Sequence, residues 1–127
     1  MPSDKPILQK LLLKPGARAA VLDPPSSYEP VLQQLPPGVD LSRELNGSFD
    51  FIHAFTTHRE ALLRLGPRLR QALNPNGVLW VSYPKAKAVP TDLNRDSVRT
   101  TVQQVGLDTI SQVALDDTWS ALRLKPV

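Results

Sequence analysis

Cysteine is absent from the 127 residues, which excludes disulfide frameworks, thiolate nucleophiles and cysteine-ligated metals together. Histidine is scarce too. Only His53 and His58 could supply an imidazole, and neither stands at a metal-motif spacing from an acid, so no metal is expected. No apolar run approaches the roughly 20 residues of a membrane span. No secretory apolar stretch follows Met1, so the chain reads as cytoplasmic, with no membrane contact. Neither a Walker loop nor a Gly-x-Ser-x-Gly elbow is present.

What is there suits one small folded unit spanning residues 1–127. Hydrophobic residues make 41% and charged residues 21%, close to globular averages, so the composition is not that of a disordered chain. A chain of this length can bury roughly two-thirds of its unfolded surface around one core. Eight of the 13 prolines precede Gly38, which keeps the elements there short. Charge is uneven. Residues 1–50 carry five basic and six acidic groups, whereas residues 51–127 carry ten and six. Arg59, Arg64, Arg68, Arg70, Lys85 and Lys87 face the single acid Glu60, as a phosphate-binding stripe would. No aromatics interleave with them, and a solvated helix face is the simpler reading.

Local patterns alternate along the chain. Residues 7–13 read as a short helix, with Ser3 and Asp4 as caps and Pro15-Gly16 as the stop. Ala19-Ala20-Val21-Leu22-Asp23 reads as a buried strand, residues 28–35 as a short helix and residues 39–45 as a weaker strand. Phe49-Asp50-Phe51-Ile52-His53-Ala54-Phe55 is a clear strand. Residues 58–73 have helical spacing, which Gly66-Pro67 is expected to kink or split. The turn cluster Asn74-Pro75-Asn76-Gly77 leads into a strand over residues 78–83. A helix over residues 92–105 should stop at Gly106, and two strands, 109–115 and 118–124, should join tightly around Asp116-Asp117. Alternation of this kind predicts an α/β three-layer sandwich: a mostly parallel sheet with an antiparallel C-terminal strand pair.

Three stretches carry a family resemblance. Pro15-Gly16-Ala17-Arg18-Ala19-Ala20-Val21-Leu22-Asp23, then Phe49-Asp50-Phe51-Ile52, then Leu73-Asn74-Pro75-Asn76-Gly77-Val78-Leu79 resemble the first, middle and following strands of class I S-adenosylmethionine-dependent methyltransferases. The chain is about half that family's usual length and lacks one strand–helix unit. Residues 80–84 and 91–96, with Asp116-Asp117-Thr118-Trp119-Ser120-Ala121-Leu122-Arg123, also resemble a bacterial family of unknown function sharing this reduced fold, which implies no activity. The methyltransferase resemblance implies an S-adenosylmethionine site after the first strand. There the departures begin. The family's glycine positions fall on Pro25, Ser27 and Glu29, following Asp23 and Pro24. Pro24 and Pro25 have no N–H to donate, and Glu29 would carry negative charge toward the cofactor carboxylate. His53-Ala54-Phe55-Thr56 stands where an Asn-Pro-Pro-Tyr-like motif would follow the middle strand. No cofactor is therefore expected, S-adenosylmethionine included.

Ligands of open parallel sheets bind outside the carboxyl ends of the strands. Tyr83, Lys85, Asp92, Asn94 and Arg95 are the ligand-binding candidates there, with Lys85 and Arg95 suited to an anion. Helix capping by Thr91, Asp92 or Asn94 accounts for part of that cluster, leaving Asn94, Arg95, Tyr83 and Lys85 as the residues capping does not need. Three functions fit: a degenerate domain acting as a binding or interaction module, with a protein or a small anionic ligand as partner; a small enzyme on a nucleotide or other anionic substrate; and weak nucleic-acid binding through the basic stripe. His53, mid-strand, reads as a hydrogen-bonded core histidine.

Overall fold

A computed structural model describes residues 6–85 and 89–127. Six strands form one sheet: β1 (Arg18–Leu22), β2 (Asp40–Ser42), β3 (Phe49–Phe55), β4 (Leu73–Pro84), β5 (Leu107–Ala114) and β6 (Trp119–Pro126). Their order is β2-β1-β3-β4-β6-β5. β1, β2, β3 and β4 pair in parallel, while β6 runs antiparallel between β4 and β5. The short β5–β6 link permits nothing else, since a parallel return needs a crossover of a dozen residues or more.

Helices α3 (Arg59–Ala72) and α4 (Arg95–Gln103) cover one face. Their Leu62, Leu69, Ala72, Val98 and Val102 pack on Ala20, Ile52, Ala54, Leu79, Val81, Leu122 and Leu124 of the sheet. The other face carries much smaller pieces, α1 (Ile7–Lys10), a tight helical turn (Ser26–Tyr28) and α2 (Glu29–Leu32). Leu8, Leu11 and Leu13 meet Ala19, Phe51 and Trp80 there, and the Trp80 indole N–H donates to the Leu11 carbonyl at 2.7 Å. The sandwich is three-layered as expected, with one thin layer.

Local expectations are corrected at three places. Residues 59–72 form one helix with Pro67 inside it, so of the two expectations, a kink or a split, the split is overturned. Leu62 before the proline and Leu69 after it are both buried in the same core cluster, so packing holds the two halves on one stripe. Gly66 lets that helix approach closely, because a Cβ there would stand 2.6 Å from a Val105 methyl. The Asn74–Gly77 cluster lies inside β4 rather than before it. Phe49 pairs with Leu73 but Phe51 with Val78, so the intervening residues swing out of the ladder around Asn76, whose φ is +65°. α1 ends well before Pro15-Gly16. Leu12 takes φ +68°, with the Leu13 N–H donating to the Leu8 carbonyl and the Leu12 N–H to the Gln9 carbonyl, the Schellman pattern. The expected caps Ser3 and Asp4 lie outside the described residues. α4 ends at Gln103, short of the expected 105, and Gly106, at φ +82°, closes the turn that follows it.

Candidate functional site

The chain leaves β1 for β2 on one side while β3 lies on the other, so the carboxyl ends of β1 and β3 mark the point where strand order reverses. A crevice for a ligand belongs there. The turn out of β1 passes through Asp23, at φ +52°, then Pro24 and Pro25, and tightens as the Tyr28 N–H donates to the Pro25 carbonyl at 2.9 Å. Its consequence is to bury Tyr28 on the sheet. The Tyr28 ring stands edge-on to His53 at 5.3 Å and to Phe55 at 4.9 Å, and Phe55 continues to Trp119 at 5.3 Å. The Tyr28 hydroxyl has no hydrogen-bond partner among the described residues, and burial pushes its pKa up.

His53 is fully buried. Its Nε2 lies 2.6 Å from Ser82 Oγ, its ring stacks on Phe55 at 4.3 Å, and its Nδ1 is unpartnered among the described residues. Burial lowers its pKa from 6.5 to about 3, so the imidazole is neutral at pH 7. The core-histidine reading holds. Ser82 was missed from the sequence, although a signal existed: lone polar residues within neighbouring apolar strands need partners, and here they meet.

A glycine cradle works by bringing backbone N–H groups close to a ligand. Pro24 and Pro25 lack that group, and the next side chain to turn inward is the Tyr28 ring. Glu29 is corrected: rather than extending negative charge toward a cofactor, its carboxylate takes two hydrogen bonds of 2.9 Å from Arg43. That contact lowers the Glu29 pKa and joins the start of α2 to the residue just after β2. Ser27 and Asp23 remain exposed on the turn.

The polar cluster after β4 resolves into clasps. Asp92 accepts the Arg59 N–H at 2.7 Å, capping α3 from a distant part of the chain. Thr91 Oγ1 donates to the Thr57 carbonyl at 2.6 Å. Asn94 caps α4: its side chain accepts the Ser97 N–H at 2.9 Å while Ser97 Oγ accepts the Asn94 N–H at 2.8 Å. This corrects the expectation that capping has no need of Asn94. Arg95 is exposed and lines a cavity of about 380 Å³ with Asn94, Asp96, Arg99 and Thr109. Tyr83 is buried elsewhere, beside Leu93 and Val98, with its hydroxyl 3.5 Å from Gln112 Nε2, which donates to Ser120 Oγ at 2.8 Å. Lys85 is exposed, its N–H donating to the Thr118 carbonyl. Among the described residues the five candidates are thus spread over separate contacts.

The basic stripe is likewise divided. Arg59 Nε donates to Thr101 Oγ1, and Arg64 lies 3.4 Å from Glu60. Arg68 and Arg70 line separate cavities, of about 390 and 410 Å³. Lys87 lies outside the described residues. No helix among the described residues is long and apolar enough to cross a membrane.

Comparison with known proteins places the fold. No family model and no curated protein matches this sequence. Solved structures do match. A SAM-dependent methyltransferase from Aquifex aeolicus superposes with a TM-score of 0.72 at 13% identity, covering 95% of this chain and 88% of that one. The mitomycin 7-O-methyltransferase MmcR gives 0.68 at 9% identity over 88% of this chain, and DhpI, solved as a complex with SAH, gives 0.67 at 9% over 95%. The chain spans about half (49%) of the MmcR chain and 82% of DhpI. The architecture is thus a class I methyltransferase-like α/β fold.

Proposed function

We propose that this chain is a methyltransferase-like domain that does not use S-adenosylmethionine and serves as a binding or interaction module. One observation carries the reading: the turn out of β1 is built from Pro24 and Pro25 and lays the Tyr28 ring over His53 and Phe55. A ligand seated as in a glycine turn would need N–H donors that the two prolines lack. The Glu29–Arg43 pair supports the same reading, since it engages both charged side chains at the adjoining carboxyl end of β2. Against an enzyme on an anionic substrate stands the scatter of Tyr83, Lys85, Asp92, Asn94 and Arg95, two of which cap helices.

Thermal unfolding with S-adenosylmethionine, its demethylated product and a panel of nucleotides tests this. A ligand at 100 times its dissociation constant stabilises by about 2.7 kcal/mol, a rise of roughly 5–15 °C for a domain of this size. No rise with either sulfonium-derived ligand is expected. A clear rise with the methyl donor contradicts the proposal, and a rise with nucleotides alone transfers it to the anionic-substrate enzyme.

A further inference from the structure

The two edges of the sheet are unequal. β2 offers three residues, starting at Asp40 and followed at once by Arg43, a short and charged edge. β5 offers eight residues, and Thr109-Ile110-Ser111-Gln112-Val113-Ala114-Leu115 contains no charge and no proline. Natural sheets blunt a free edge with lysine, proline, inward charges or brevity. β5 carries one charge, Asp108 near its start and paired with Arg99, and beyond it only a bulge: Thr109 pairs with Leu124 and Ser111 with Arg123, which leaves Ile110 as an extra residue, 50% exposed. The Leu115 N–H donates inward to the Trp119 carbonyl, so antiparallel alternation turns the N–H and C=O of Ala114 and Gln112 outward.

We propose that this edge is where two copies of the chain pair, β5 antiparallel to β5 about a two-fold axis. The charges flanking the neutral stretch 109–115 favour that occupant. Beside its start lies the cavity lined by Arg95, Arg99 and Thr109. After its end comes the exposed Asp116-Asp117 turn. Antiparallel pairing of two copies sets the start of one strand against the end of the other, and does so twice. Arg99 is already held by Asp108, and Asp116 Oδ1 already accepts the N–H groups of Thr118 and Trp119. Arg95 of one copy is then matched with Asp117 of the partner subunit. The exposed Asp96 beside Arg95 opposes part of this attraction, so the backbone ladder and the Ile110 contact carry the affinity while Arg95 and Asp117 select the orientation. This interface is independent of the turn after β1.

Sedimentation equilibrium on the whole chain tests it. The expected mass is twice the 14.0 kDa of one chain at high concentration. Ile110→Lys, at an exposed bulge position, is expected to give the monomer with unchanged circular dichroism. Arg95→Asp and Asp117→Arg are each expected to weaken pairing roughly tenfold or more, because like charges then oppose each other twice. The double variant is expected to recover it, a restoration that a purely structural role does not produce. A wild-type chain monomeric at every concentration overturns the proposal, as does a dimer that Ile110→Lys leaves unchanged. Single charge variants whose losses add in the double variant overturn the Arg95–Asp117 orientation.

Discussion

Tyr28 stands edge-on to His53, their ring centroids 5.3 Å apart and their planes at 88°, directly after the Pro24–Pro25 turn. The contact joins a residue of the turn to the middle of β3. Each ring carries one polar atom, the Tyr28 hydroxyl and His53 Nδ1, that is buried without a hydrogen bond among the described residues. An unpaired buried polar atom costs stability, so each ring is held there by its packing.

Removing the hydroxyl alone is therefore expected to be harmless. Tyr28→Phe keeps the ring against Phe55 and should leave stability unchanged or raise it by up to about 1 kcal/mol. Tyr28→Ala removes the ring and should cost about 3–5 kcal/mol. Urea unfolding of the two variants separates these effects. A Phe variant as unstable as the Ala variant would show that the hydroxyl has a partner.

His53 makes stability fall on acidification. The folded protein holds its pKa near 3, whereas the unfolded chain returns it to 6.5. Below pH 6.5 the unfolded state binds a proton that the folded state refuses, so stability is whole above 6.5 and lost as pH falls toward 3. The slope is about 1.4 kcal/mol per pH unit from this group. Carboxylates add their own loss only nearer pH 4, among them Asp50, whose pKa is lowered by the Arg18 N–H and Asn74. Chemical unfolding across pH 7 to 4.5 measures the slope, and His53→Gln is expected to flatten it.

The cluster after β4 separates into a cap and a free side chain. Asn94→Ala breaks the reciprocal bonds with Ser97 and should cost about 1 kcal/mol, lowering Tm by roughly 3–6 °C. Arg95→Ala touches no such bond and should stay within about 0.5 kcal/mol of the wild type. Calorimetry on both variants decides. Equal losses would mean that Arg95 holds the fold through a contact the geometry does not provide.

How much of this was legible beforehand depended on range. β3 was read to its last residue, because Phe49, Phe51, Ile52 and Phe55 crowd one seven-residue stretch with aromatic and branched side chains. The antiparallel position of β6 followed from the shortness of its link to β5. The proline-rich first third was read more loosely: residues 28–35 gave only one turn of α2, and residues 39–45 gave a three-residue β2. Long-range partners were hidden. Asp92 caps a helix that begins 33 residues earlier, and Asn94 was placed among the ligand residues although Ser97, three residues on, completes a capping box. That box was local and could have been read. The burial of Tyr28 could not, since nothing near it in sequence announces His53 and Phe55.

Calorimetric titration of the wild-type chain with S-adenosylmethionine and with its demethylated product is the most direct measurement. With proline at two successive positions of the turn and the Tyr28 ring packed on β3, neither ligand is expected to give saturable heat, even at millimolar concentration. A one-site isotherm with a micromolar dissociation constant for either ligand would contradict the proposal that this chain does not use S-adenosylmethionine.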